Sequence, residues 1–416
     1  MADPRASLQA HRRARAGAEN ADKAVMGRRW VDADVRPAGA KQQHRHRPLR
    51  VVTWNVQAER TRDSSGKGFS AVNARKAIAR VLEMQPHLVF LQEVQLRAKG
   101  GEPAASDVRG DHSRLFAEAL RAAGFAVYLP EQTVESRSDG RDRRPAAMSV
   151  LTAWAKSRLR LAEGEGALRA VEMGGFSHKS AAVVALVELR SNLRINTANV
   201  HLSVPLGKGG MQDDRQQLRE LEAAITCLRA TALATHSVDK KPTTSNAGPG
   251  AALSSRLAEA AGAVTLLAGD LNALPASAAY RQLCAQGMTS AYAAALRAEP
   301  EYTTINEAFG FVGTVDYIFA SPGMRVKRVL GLRSPRPQAL PSAACPSDHE
   351  PLAADFELWC TRAESANAGD RTPVSERRPA AAEGGAGMDK MGKRRKLGGC
   401  SEPGSECDCQ THAPPR

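Results

Sequence analysis

Aromatic residues are scarce. They make up 4% of this 416-residue chain, whereas hydrophobic residues of all kinds make up 42%. The core must therefore be filled chiefly by aliphatic side chains. No apolar run approaches the ~18 residues that would span a bilayer, which excludes a membrane-spanning helix from the reading. The seven cysteines are odd in number and scattered. Four of them, Cys227, Cys284, Cys345 and Cys360, fall in or near apolar segments. That usage suits reduced thiols in an intracellular protein better than a disulfide framework. Self-similarity at solenoid periods is also missing. The N-terminus is rich in arginine but has no hydrophobic segment, so it does not read as a secretory signal. Asp3, Glu19, Asp22, Asp32 and Asp34 argue against an organellar transit peptide.

What the chain has in excess is positive charge. The formal net charge of +14 favours an anionic partner: nucleic acid, a phosphorylated metabolite or a membrane surface. The excess is uneven. Residues 1–47 hold 11 Lys/Arg against 5 Asp/Glu, and residues 361–416 hold 10 against 8. Both ends lack apolar periodicity and read as disordered, the first as a basic arm that would raise RNA affinity non-specifically. Within the tail, Lys393–Lys396 forms a basic patch of the nuclear-localisation kind. Cys400, Cys407, Cys409 and His412 sit in a short acidic stretch that makes a poor zinc set.

Between the ends, residues 48–360 read as one folded domain in which strand and helix signals alternate. Leu49–Val56 reads as a strand, and Ala71–Met84 has helical apolar spacing. Two long strands, Ala181–Arg190 and Leu193–His201, meet at Ser191-Asn192, a tight-turn pair for a hairpin. Low-complexity residues 236–252 read as a surface insertion, and 98–112 and 135–145 as smaller ones. The order suits an α/β fold of two packed sheets flanked by helices.

Several strands close on a polar residue that a strand core would not choose. VVTWN ends at Asn55, LVFLQE at Glu93, and RINTANVH at Asn199 and His201. LLAGDLN ends at Asp270 and Asn272, GTVDYIF carries Asp316, and PSDHEPL opens a strand with Asp348 and His349. Placed on one rim of two facing sheets, these side chains would converge. A carboxylate such as Glu93 is a hard oxygen ligand suited to Mg²⁺, or to Mn²⁺ in its place. A carboxamide such as Asn55 ligates or holds phosphate without adding negative charge. A carboxylate beside a histidine orients it and raises its pKa. No Cys/His pair at zinc spacing occurs among these residues, which argues against a soft-ligand metal site.

The set WNV, LQEV, NVHL, GDLN, VDYIF and SDHEPL resembles, in order, the motifs of the endonuclease/exonuclease/phosphatase superfamily, over about Arg50 to Leu358. The resemblance implies a four-layer α/β/β/α sandwich of two mixed sheets. It also implies roles. Glu93 is the main metal ligand, supported by Asn55, and Asp348 assists metal or water. Asp270 positions or deprotonates the attacking water, and Asn272 contacts the phosphate. Asp316 pairs with His349 on the scissile phosphate, with His201 as a second contact and Asn199 near the substrate. The flanking text GDLNALPASAAYRQL and EPEYTTINEAFGFVGTVDYIFAS further resembles the carbon-catabolite-repressor deadenylases, nocturnin and the Angel proteins. In that group the aromatic at Phe311 stacks on a terminal base, although packing is an equal reading of it. The expected activity is a Mg²⁺-dependent 3′–5′ exoribonuclease that acts on poly(A) and releases 5′-nucleotides. The alternatives are a phosphatase or 2′,5′-phosphodiesterase acting on a small phosphorylated nucleotide, and a DNA repair endonuclease. The expected location is the cytoplasm or nucleus.

Overall fold

The computed structural model describes residues 28–33, 47–56, 71–95, 112–130, 148–164, 166–171, 173, 180–205, 214–236, 263–307, 310–333, 339–342 and 345–358. The tail patch Lys393–Lys396, the Cys400 group, most of the 236–252 insertion and the 135–145 insertion lie outside the described residues.

The strands are β1 (Trp30–Asp32), β2 (Leu49–Asn55), β3 (Leu88–Gln95), β4 (Phe125–Tyr128), β5 (Met148–Ala155), β6 (Leu159–Leu161), β7 (Leu168–Val171) and β8 (Ser180–Glu188). They continue with β9 (Arg194–His201), β10 (Val264–Asp270), β11 (Thr289–Ser290), β12 (Thr304–Asn306), β13 (Phe311–Gly313), β14 (Asp316–Ala320), β15 (Met324–Leu330) and β16 (Leu352–Leu358). The helices are α1 (Ala71–Glu83), α2 (His112–Ala122), α3 (Arg215–His236), α4 (Ala278–Ala285) and α5 (Ala291–Leu296).

Two seven-stranded mixed sheets form. One runs β1-β15-β16-β2-β3-β5-β4; the other runs β11-β14-β10-β9-β8-β6, with β7 also on β8. Strand alternation sorts the apolar side chains into three layers. Leu49, Val51, Leu88 and Phe90 of the first sheet meet Ile195, Leu266, Ala268 and Ile318 of the second. Val52, Trp54, Val89 and Leu91 point the other way, under Ile78 and Val81 of α1 and Phe116 and Leu120 of α2. Val200, Leu267 and Phe319 back onto Leu221 and Ile225 of α3 and Leu283 of α4. The expected α/β/β/α sandwich is what forms. Among the described residues no helix is long and apolar enough to cross a membrane.

One boundary differs from expectation. Residues 28–33 belong to the fold, although the basic arm was expected to run unbroken to residue 47. Trp30–Asp32 pairs with Leu330–Arg328 as an edge strand, and the Arg28 side chain is buried. Its guanidinium donates to the Gly331 carbonyl at 2.6 Å and the Pro351 carbonyl at 2.7 Å, and lies 3.4 Å from Glu350 Oε2. Composition hid this because the strand is three residues long and its anchor is an arginine.

Candidate active site

β9 runs parallel to β10, and β14 runs antiparallel to it. The register sets His201 opposite Asp270, and Asp270 opposite Asp316. Three strands thus contribute one row. Its members share the parity of Ile195, Leu266, Ala268 and Ile318, so the row faces the other sheet. Gly269 permits the close approach. Its φ is +144°, and a Cβ there would lie 2.0 Å from the Val200 carbonyl oxygen, so only glycine fits.

Asn55 and Glu93 face the row from the opposing sheet. Asn55 ends β2 in step with Leu49 and Val51, on the inter-sheet side. Glu93 needs a device, because by simple alternation it would follow Val89 and Leu91 towards the helices. Between Leu91 and Val94 the register shifts: β3 carries one residue more than β5 opposite it. Glu93 takes a left-handed φ of 56° there. A β-bulge re-aims a side chain in this way, and the backbone strain is characteristic of functional positions. The Asn55 amide donates to Glu93 Oε1 at 3.2 Å and to Asp270 Oδ2 at 2.9 Å, tying the two sheets.

His349 enters from the loop before β16. Its Nδ1 lies 2.8 Å from Asp316 Oδ2, which also accepts the Thr303 hydroxyl at 2.6 Å. Its Nε2 lies 3.7 Å from Asp348 Oδ1 and 4.0 Å from Asp270 Oδ2. Burial alone would lower the imidazole pKa, but the carboxylates of Asp316, Asp348 and Asp270 overcome it and hold His349 well above its ordinary value. Burial also pushes the Asp348 carboxyl up, to about 7; His349 opposes the rise, and Glu93, Asp270 and Asp316 add to it. Asp348 Oδ2 accepts from Asn306 Nδ2 at 3.0 Å. His201 Nε2 lies 3.6 Å from Glu93 Oε1 and 3.7 Å from Asp270 Oδ2. Asn272 follows in a left-handed turn (φ 47°), its N–H on Asp270 Oδ1 at 2.8 Å and its side-chain amide on the Leu202 carbonyl at 2.9 Å.

Asn55, Glu93, His201, Asp270, Asn272, Asp316, Asp348 and His349 therefore come together. Asn199 does not join them as a substrate contact. It is fully buried between the sheets, with its amide on the Leu91 and Leu151 carbonyls and its oxygen on Gln92 Nε2. It shares the parity of His201 but lies two residues deeper, where it bolts the sheets together. Phe311 stands apart on the β12–β13 ribbon, half-buried beside Gly313 and Leu274. Sequence reasoning missed Thr303 and Asn306, which hold Asp316 and Asp348. The signal was the polar TTIN run just ahead of the VDYIF motif.

The donor set fits a hard divalent cation. Glu93, Asp270, Asp316 and Asp348 crowd four carboxylates together, and the buried Asp316 Oδ1 accepts no hydrogen bond. Ligand atoms of Asp270, Asp316 and His349 lie within 4.8 Å of one another. However, the His349–Asp316 hydrogen bond already occupies two of these three side chains. Glu93, with the Asp348 carboxyl within its electrostatic reach, is the better hard-oxygen ligand for Mg²⁺ or Mn²⁺.

Residues 52–349, well over half the chain, match the model of the Endonuclease/Exonuclease/phosphatase family. The chain belongs to that family. The acid, amide and histidine set of the site suits phosphoester chemistry assisted by a hard cation. It is similar to Carbon catabolite repressor protein 4 homolog 4 of Arabidopsis thaliana, with 34% identity over 114 residues. That stretch is 22% of this chain and 27% of the relative, so the match spans about a quarter of the relative's length. The catalytic domain of human nocturnin, solved with bound sulfate, superposes with a TM-score of 0.52 at 20% identity, over 80% of this chain and 97% of that one. ANGEL2, a 2′,3′-cyclic phosphatase solved with adenosine-2′,3′-vanadate, gives 0.49 at 14% identity over 74% and 95%. At these identities the structural likeness is one of fold. The expected resemblance to the carbon-catabolite-repressor and nocturnin group holds.

Proposed function

We propose that this endonuclease/exonuclease/phosphatase protein is a Mg²⁺-dependent exoribonuclease that shortens RNA from its 3′ end, poly(A) included, and releases 5′-nucleotides. The observation that carries the reading is the His201–Asp270–Asp316 row facing Asn55 and Glu93, with His349 seated on Asp316. The text after GDLN, Ala273-Leu274-Pro275 and then Tyr280, points to the deadenylase-like branch.

Glu93 would hold the cation, with the Asn55 amide supporting it by a hydrogen bond to Glu93 Oε1. A divalent cation held there would supply Lewis-acid polarisation of the phosphoryl oxygen. Asp270 orients a water for in-line attack and takes its proton. Its Oδ1 is already fixed by the Asn272 N–H, which leaves little freedom of angle. Protonated His349, held on Asp316, donates to the phosphoryl oxygen as negative charge grows, and His201 is a second donor. Asp348 lies beside them as a further group for metal or water. Phe311 rests its ring on Gly313, where a Cβ would lie 2.9 Å from the ring, and offers an aromatic face to a terminal base. Such stacking is worth about 1–3 kcal/mol and tolerates sequence.

The test is incubation of the protein and Mg²⁺ with 5′-labelled oligo(A), oligo(U) and NADPH. A ladder from oligo(A) is expected. Phosphate release from NADPH with intact RNA would overturn the nuclease reading in favour of a phosphatase on small nucleotides. Glu93→Ala and Asp270→Ala should each abolish turnover, and normal activity in either would overturn the site.

A further inference from the structure

Two loops leave the catalytic row side by side: Leu202–Val204 after His201, and Leu271–Ala273 after Asp270. Their backbones are joined directly once, by the Leu202 N–H on the Asp270 carbonyl at 3.0 Å. Beyond that point the strands end, and the carbonyls of Ser203, Leu271 and Asn272 need donors. Gln217, in the first turn of α3, supplies them. Its amide nitrogen lies 3.0 Å from the Ser203 carbonyl, 2.8 Å from Leu271 and 3.0 Å from Asn272. The side chain is 1% exposed, and its own Oε1 is buried without a hydrogen-bond donor. The amide is thus oriented for its two N–H bonds at the expense of its oxygen. One turn on, buried Glu220 accepts the Ser203 N–H at 2.7 Å and the Ser203 hydroxyl at 2.6 Å, fixing the same loop from the other side.

We propose that Gln217 is a positioning residue for phosphoester hydrolysis, locking the His201 and Asn272 strand ends to one another through α3. This rests on the hydrolase reading above but not on the RNA substrate. The chain of contact is short. Gln217 holds the Asn272 carbonyl, and Asn272 keeps a left-handed φ and puts its N–H on Asp270 Oδ1, the carboxylate proposed above to orient the attacking water. Without the amide, the Asn272 turn relaxes towards an ordinary φ, and the Asp270 carboxylate loses its fixed angle. Misplacement of a reacting group by about 1 Å costs on the order of 10²-fold in rate.

The experiment measures Gln217→Met, which keeps length and helix propensity but removes the donor, with Gln217→Ala as the second variant. Both are assayed with Mg²⁺ on oligo(A) and on bis(p-nitrophenyl) phosphate, and amide hydrogen exchange is followed. The expected result is a kcat loss on the order of 10²-fold at unchanged KM, with faster exchange confined to the Leu202 and Asn272 amides. Wild-type kcat in a folded variant would overturn the proposal. So would a kcat loss that tracks faster exchange across the whole domain, because that is loss of fold rather than of position. If Gln217→Met does not fold, Gln217→Ala is judged by the same two readouts, and failure of both variants to fold makes the residue structural and overturns the proposal. Wild-type cleavage of the generic diester but not of oligo(A) sinks the exoribonuclease reading and leaves the Gln217 measurement intact.

Discussion

The segment at residues 28–33 supports a sharp prediction about where the catalytic domain begins. Arg28 is buried and donates to three carbonyls, of Gly331, Leu330 and Pro351, while lying 3.4 Å from Glu350. Glu350 directly follows His349. Breaking a buried ion pair by removing one partner costs about 3–5 kcal/mol. Arg333 still lies 3.0 Å from Glu350 Oε1 and keeps that carboxylate partnered, so Arg28→Met belongs at the low end, about 3 kcal/mol. Deleting the segment removes more. The guanidinium groups of Arg50 (4.4 Å) and Arg328 (4.6 Å) both lie over the Trp30 ring, contacts worth roughly 0.5–1 kcal/mol each at partly exposed sites. The edge-strand pairing goes as well. A chain beginning at Pro48 should therefore lose about 4–5 kcal/mol, the sum of these contributions. In a domain of this size that corresponds to a Tm lower by roughly 6–8 °C. The assay is thermal unfolding of the full chain, a chain beginning at residue 20 and one beginning at Pro48. The first two should melt together and the third well below them. A Pro48 chain melting within about 1 °C of the others would refute the reasoning.

Three further outcomes follow from the site. Gly269→Ala sets a Cβ 2.0 Å from the Val200 carbonyl, so β9 and β10 must part. A loss above about 4 kcal/mol is expected in urea unfolding, and a wild-type midpoint would contradict it. Asn199→Leu strands the Leu91 and Leu151 carbonyls and the Gln92 amide. It should cost about 2–3 kcal/mol of stability while leaving KM unchanged; the reverse pattern would restore Asn199 as a substrate contact. In the metal-free protein the stability that Asp348 and His349 contribute should fall as pH rises. Asp348, raised from 3.8 to about 7, favours the folded state less and less between those two values. His349, raised above its ordinary 6.5, contributes stability below that value and loses it as pH passes its elevated pKa. On the proposed reading Mg²⁺ would compete with these protons, so its increment in Tm over chelated protein should be larger at pH 8 than at pH 5. Equal increments would sink the argument.

Hydrophobic alternation was local enough to read directly. It showed the α/β class, the β8–β9 hairpin, though its connection is the five residues 189–193 rather than the tight Ser191-Asn192 pair, and the polar strand ends, because each depends on residues a few positions apart. The type of each site residue was equally legible, since a carboxylate at the end of an apolar strand has few structural uses. Other features lay beyond that range. Asn199 and His201 have the same parity on one strand, and only the opposing sheet shows that one is a bolt and the other faces the rim. Glu93 points at Asn55 because β3 gains a residue against β5, a register relation between strands distant in sequence. Arg28 reads as one more charge in a basic arm until Glu350 and three carbonyls surround it. Local sequence determined which elements form and what chemistry their ends carry. Pairing register, inter-sheet burial and the partners of buried polar groups decided which of those ends meet, because those energies exist only between residues that folding brings together.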